Sequence, residues 1–270
     1  MKKILLVFVV FSFIVNANAQ DLSPALQAKN DGNDAFRNKD YIAAITSWEK
    51  YLNSGEEGVA DDENTRGLYV NSFKYAADNY LRLKDYKSAY TYFENYIDKE
   101  GAAAQKDGEI AYKMAFCANK LDQKDLALSQ YQRSIELGYK EDMCMLYMAS
   151  IYKDANKEDK MIETLKTAME KYPNSKNRSK MTDMLTIPML KEAAVPFNEA
   201  NELAKTAASD DPTQYIDNMG KAVEKFNASI PLFKNVLEVD PNNEQAINYI
   251  KNCEDNIKSF NDYKASLEKK

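Results

Sequence analysis

Asp85-Tyr-Lys-Ser-Ala-Tyr-Thr-Tyr-Phe-Glu-Asn-Tyr-Ile97 decides the fold, because the chain says it more than once. Upstream, Asp40-Tyr-Ile-Ala-Ala-Ile-Thr-Ser-Trp-Glu-Lys-Tyr-Leu52 fills the same slots. Ala44 matches Ala89, Trp48 matches Phe93, Tyr51 matches Tyr96 and Leu52 matches Ile97. Counted from the small residue, the apolar positions fall at +4, +7 and +8, which is one face of an α-helix. The small residue lets a neighbouring helix come close, and the aromatic four positions on fills the gap beside it. Two further echoes follow: Ala127, Tyr131, Ser134 and Ile135, then Met161, Leu165, Ala168 and Met169. Ala89, Ala127 and Met161 stand 38 and 34 residues apart. A period near 34 marks an array of helical hairpins, each able to hide its apolar face only against the next.

The residues quoted resemble the helix B segments of the tetratricopeptide repeat family, over about residues 25–175. That family places small or large apolar residues on a preceding helix A. Here Ala28, Gly32 and Ala35 with Phe36 take those places in the first repeat. Phe73, Ala76, Ala77 and Tyr80 take them in the second, and Ala111, Met114, Ala115 and Ala118 in the third. Met145, Met148, Ala149 and Tyr152 serve the fourth, and Pro173 stands where the family closes a unit with proline. The resemblance implies an all-α, right-handed solenoid of helical hairpins over residues 20–175. A C-terminal pair of longer helices, a degenerate repeat and a capping helix complete it over 176–270. It also implies that another protein or peptide binds in the concave groove lined by the A helices. The groove residues it implies are Lys29, Asn33, Phe36 and Arg37 from the first repeat, and Lys74, Asp78, Leu81 and Arg82 from the second. Tyr112, Phe116 and Asn119 with Lys120 follow, then Leu146 with Ser150 and Lys153. Lys29 and Asn33 match the Lys-x-x-Gly-Asn start of family members that clamp a C-terminal carboxylate. Tyr75 stands where that clamp wants asparagine, and Glu109 where it wants a cation, so the clamp is rejected and the groove kept.

Residues 1–19 read as a leader. Lys2 and Lys3 precede an apolar run, Ile4 to Val15, and Ala17-Asn-Ala19 supplies a small-x-small cleavage site. The run is shorter than the roughly 20 apolar residues a spanning helix needs. The expectation is an exported chain, periplasmic or extracellular, cut near Ala19, with no later segment able to cross a membrane. Its formal charge of −6 becomes −8 once the two leader lysines go. That balance argues against nucleic acid and anionic membrane surfaces as partners.

Between the first two repeats the extra length lies in Asn53 to Gly67, rich in glycine and acid, and predicts a longer turn with a lengthened helix. Asp61, Asp62 and Glu63 lack the alternating acid spacing that wraps calcium and read as solvated loop. Since neighbouring A helices run roughly parallel in the family this chain resembles, Cys117 and Cys144 should lie about ten ångströms apart along the axis, beyond disulfide reach. All three cysteines, Cys253 included, therefore read as free, semi-buried thiols.

After Pro173 the register changes. One long helix is expected from about Lys180 to Ala208, broken or kinked at Pro188 and Pro196, since an interior proline costs about 3 kcal/mol. A second begins after Asp211 as N-cap with Pro212 at its first position, and ends at Asp240. A last amphipathic helix, about Glu244 to Leu267, reads as the cap of the open end.

The chemical inventory is thin. Histidine is absent, which removes the usual general base, the common nucleophile pairs and the commonest zinc ligand. Eight glycines build no phosphate loop. Eight of the eleven methionines lie between Met143 and Met189; soft sulfur could hold copper(I), but their inward slots favour core packing. The expectation is no enzyme, no cofactor and no metal: a non-catalytic scaffold of the cell envelope. The alternative is a self-assembling structural subunit, a homo-oligomer joined through the last helix.

Overall fold

The computed structural model describes residues 22–268, and every regular element among them is a helix. The leader lies outside the described residues. These fall into two compact units, 22–106 and 107–268.

In the first unit α1 (Pro24–Arg37) pairs with α2 (Tyr41–Leu52) and α3 (Glu63–Arg82) with α4 (Tyr86–Glu100), and a short α5 (Ala102–Gln105) follows. Each long helix starts on a side-chain oxygen that accepts a backbone N–H: Ser23 for Leu26, Asp40 for Ala43, Asp62 for Thr65 and Asp85 for Ser88. The A helices end in a repeated turn. Lys39 and Lys84 here, and Asp122 and Asn156 in the second unit, all adopt left-handed φ of 54–63°. After α1, the Lys39 N–H bonds Phe36 O at 2.9 Å and the Asp40 N–H bonds Ala35 O at 2.9 Å. The same pair of bonds recurs at the other three turns, satisfying last-turn carbonyls and reversing the chain in two residues.

The slots read from the repeat are the core. Ala44, Ala89, Ala127, Trp48, Phe93, Tyr131 and Leu165 are all at 0% exposure. Trp48 lies so close to α1 that a Cβ on Gly32 would sit 2.4 Å from its Cδ1. The long connection gives the lengthened helix expected, α3 burying Thr65, Tyr69 and Val70 while Val59 tucks the loop down, but Asp62, read as solvated, is ion-paired with its side chain only 13% exposed.

The second unit holds α6 (Gly108–Lys120), α7 (Lys124–Glu136), α8 (Glu141–Asp154) and α9 (Glu158–Lys171). Three long helices complete it: α10 (Arg178–Thr206), α11 (Pro212–Val239) and α12 (Glu244–Glu268). Asp211 caps α11 as expected, accepting from Thr213 N at 2.9 Å. Of the break or kink expected at Pro188 and Pro196, the break does not occur: α10 runs as a single helix through both. Each proline removes one hydrogen bond, a loss of about 3 kcal/mol. Along the same helix Met181, Leu185, Ala193, Phe197 and Ala200 are buried against neighbours, and burial worth roughly 1.5–3 kcal/mol per large side chain outweighs that loss.

The two compact units adjoin in sequence at 106/107. Gly101 (φ 69°) and the short α5 separate the units, whereas α8, α9 and α10 share one core of Leu146, Leu165, Met181 and Leu185. Met161, Met169 and Met181 belong to it, as the core reading of the methionines expects. Ala246, Cys253 and Phe260 of α12 are buried against the α10–α11 pair.

Candidate functional site

Within the first unit, the side chains assigned to the groove are largely committed to the fold. Lys29 pairs with Asp62 at 2.6 Å, and its ammonium lies 5.3 Å from the centre of the Tyr51 ring. Asp62 also accepts from Tyr51 Oη at 2.8 Å, Thr65 Oγ1 at 2.8 Å and Thr65 N at 3.0 Å. Burial by itself would raise this carboxyl; the bonds from Lys29, Thr65 and Tyr51 outweigh it and hold Asp62 well below the usual carboxylate range. A loop acid thus fastens α1, α2 and the start of α3. Phe36 packs between Trp48, Tyr41 and Tyr75, with ring centres 5.5, 5.6 and 5.9 Å away. Asn33 is half-buried on α1, and Arg37 is exposed and pairs with Asp34 at 3.0 Å. On α3, Lys74 lies 5.8 Å from the centre of the Tyr96 ring, Asp78 and Leu81 are half-buried, and Arg82 bonds Asn79.

In the second unit the assigned aromatics lie together. Tyr112 on α6 donates its hydroxyl to Met143 Sδ at 3.1 Å, and its ring lies 6.3 Å from that of Tyr147 on α8. Phe116 meets the same Tyr147 at 6.5 Å, and Tyr147 stacks on buried Tyr131 at 5.5 Å. Lys140 lies 4.6 Å from the centre of the Tyr112 ring and Lys120 5.4 Å from that of Phe116, a cation–π contact at each aromatic. Burial and then the neighbouring Tyr147 phenol push the Tyr112 phenol up, so it remains a neutral donor. Asn119 accepts from Lys124 at 3.1 Å at the end of α6. Leu146 is buried at 8% exposure in the α8–α9–α10 core, and only its edge reaches the surface described next.

Between α8 and α10 runs a trough. One part encloses about 430 Å³ and is lined by Met143, Tyr147, Ser150, Lys153, Lys180 and Met184 among others. A second hollow of about 320 Å³ shares Lys153, Met184 and Ile187 with it and extends to Pro188 and Lys191. Ile187 is 59% exposed, unusual for an isoleucine in mid-helix. The N-terminal end of α8 is fixed beside it by acids: Glu141 takes Lys171 at 2.8 Å and also Tyr172, and Asp142 takes Ser175 and the Asn177 side chain, the latter at 3.1 Å. The bond from Lys171, then that from Tyr172, lowers Glu141.

The α10 wall was missed by the sequence reading. A signal was there: Lys180, Met184, Ile187, Lys191 and Val195 recur at helical spacing, but the two lysines break an apolar stripe and hide it.

Cys117, Cys144 and Cys253 are buried and free, and burial pushes their thiols up to about 12, 11 and 11. Among the described residues no group of three or more acidic or thiol side chains could hold a metal ion, and no helix is long and apolar enough to cross a membrane.

The tetratricopeptide repeat family model matches residues 143–175, the hairpin α8–α9 with its closing turn. No curated protein matches the chain. Among solved structures, a TPR-repeat protein of Bacteroides fragilis is 20% identical, covering 85% of this chain and 97% of its own, with a TM-score of 0.43. MamA is 15% identical, covering 81% and 92%, with a TM-score of 0.42. YrrB, described as a TPR protein with an unusual peptide-binding site, is 16% identical, covering 84% and 92%, with a TM-score of 0.41.

Proposed function

We propose that this tetratricopeptide-repeat protein is a non-catalytic scaffold of the cell envelope, holding another protein or peptide along the face of its second unit formed by α6, α8 and α10. The trough between α8 and α10 carries the reading. A half-buried apolar floor with an isoleucine left out in water is costly for a free protein and useful to one that binds. The rings of Tyr112, Phe116 and Tyr147 continue the same surface and can anchor a partner. The leader-like residues 1–19 motivate the envelope location, and the absence of histidine with the buried state of every cysteine motivates a non-catalytic role.

Assembly through α12 is the weaker reading, because Ala246, Cys253 and Phe260 are already buried within the unit.

A substitution that fills the trough without removing packing tests the proposal. Ser150 is half-buried on the α8 wall and lines the hollow. The immobilised full chain is used to capture proteins from an envelope fraction, in parallel with Ser150→Trp. Partners retained by the parent and lost by the variant are expected; an identical captured set would refute the binding surface. Fractionation of the producing cell tests the location, and recovery in the cytoplasm alone would overturn it.

A further inference from the structure

The geometry points to an acidic, amphipathic helix of a partner protein as the occupant of the α8–α10 trough, an inference that rests on the binding role just proposed. Lys180, Met184, Ile187, Lys191 and Val195 fall at i, i+4, i+7, i+11 and i+15 on α10. At 100° per residue they share an arc of about 80°, and at 1.5 Å per residue they extend about 22 Å, the length of a 15-residue helix. Ile187 and Val195 on this line are 59% and 54% exposed, while other long stretches of α10 are packed inside. The facing wall on α8 is also helical in spacing: Met143, Tyr147, Ser150 and Lys153 line the same hollow. Two helix faces with an apolar cleft between them are the receptor half of helix-in-groove recognition, read by apolar side chains one turn apart.

Charge chooses the occupant. Lys153 stands on one wall and Lys180 and Lys191 on the other, and none of the three enters an ion pair among the described residues. Asp183 and Glu158 are the acids lining these hollows. A locally cationic rim on a chain of net charge −6 favours a partner that places carboxylates on both flanks of an apolar stripe. The floor is rich in methionine, whose flexible side chain adapts to different apolar knobs, so the rim supplies the discrimination and the floor tolerance.

The test is a displayed library of random 16-residue peptides selected on the full chain and counter-selected on Ile187→Asp. Enriched sequences are expected to carry Leu, Ile, Met or Phe at i, i+4 and i+7 with Asp or Glu on the flanks. The most enriched peptide, synthesised and titrated by calorimetry, should lose at least tenfold in affinity to the Lys180→Glu/Lys191→Glu variant and to Ile187→Asp. Its affinity for the parent should fall as salt rises. Thermal melts of each variant confirm that the fold is retained. Basic or unpatterned winners, or equal binding to parent and variants, would overturn the proposal. Peptides that lose binding to Ser150→Trp but ignore Lys180 and Lys191 would leave the trough as a binding surface and remove the acidic helix. Peptides indifferent to all three changes would remove both.

Discussion

Replacing Gly32 by alanine tests the packing logic at its tightest point, because the same change elsewhere should have the opposite sign. In an ordinary exposed helix interior, Gly→Ala stabilises by roughly 0.5–1 kcal/mol through helix propensity. Exposed Gly67 in α3 and half-buried Gly220 in α11 offer that gain, since a Cβ built on either meets nothing within 4 Å. At Gly32 the added carbon would stand 2.4 Å from Trp48 Cδ1, 2.5 Å from Nε1 and 2.8 Å from Cγ. Carbon atoms rest about 3.5–4.0 Å apart, so α1 and the indole must separate by about an ångström. Trp48 is fully buried and its ring also meets Phe36, so it has no free direction to move. Overpacking of this kind costs about 1–3 kcal/mol, and the propensity gain recovers only a part. The net expectation is Gly32→Ala destabilising by about 1–2 kcal/mol, with Gly67→Ala and Gly220→Ala stabilising by about 0.5–1 kcal/mol. Trp48 is the single tryptophan of the chain and lies in the first unit, so urea titration followed by its emission reports that unit alone. Circular dichroism at 222 nm follows both units. The Gly32→Ala emission midpoint should fall, and its folded emission should shift red as the ring loosens. A midpoint equal to or above that of the parent, or a loss of stability for Gly220→Ala, would refute the reasoning.

Acid should unfold the first unit through Asp62. Its carboxyl is held below the ordinary value of about 3.8, so its contribution is fully present at neutral pH and is lost as pH falls below about 4. Asp62→Asn should lower stability at pH 7 and flatten the acid limb of the Trp48 emission curve; an unchanged limb would exclude Asp62 as its cause. Asp62→Ala removes a helix cap together with the partner of Lys29 and Tyr51, and about 3 kcal/mol is expected in the same urea assay. Lys84→Gly relieves a left-handed residue and should stabilise by about 0.5–1 kcal/mol, whereas Asn156→Gly, where the parent residue tolerates that region, should gain less. The buried thiols should react with a disulfide reagent at pH 8 only at the rate of opening, so urea at the transition midpoint should accelerate labelling by orders of magnitude; prompt labelling of any cysteine in native buffer would contradict its burial.

How far the sequence carries is clearest at the residues where it succeeded. The small-then-aromatic spacing of Ala44 and Trp48, and its copies, placed the core without coordinates, since a helix face repeats with a period that covalent geometry fixes. Capping chemistry was equally local: Asp211 and Pro212 could be read because a cap depends on three adjacent residues. The lengthened α3 was visible as surplus length. Local reasoning reaches its limit at Pro188 and Pro196, whose cost is fixed locally, whereas the burial that keeps α10 in one piece comes from residues on α9 and α11.

The candidate site divided the same way. A-helix positions named Tyr112, Phe116 and Leu146, but position alone could not say that Leu146 faces mostly inward or that Lys29 is committed to Asp62. The first depends on how α9 and α10 pack against α8, the second on where a loop acid comes to rest. The α10 wall is further still from the sequence: Ile187 and Lys191 are unremarkable letters until α8 lies opposite them. The repeat itself thus determined that helices form, where they turn and which side is apolar, because those are properties of one turn of chain. Which apolar and charged groups remain uncovered was decided only by the tertiary structure, because exposure is what is left after every other segment has packed.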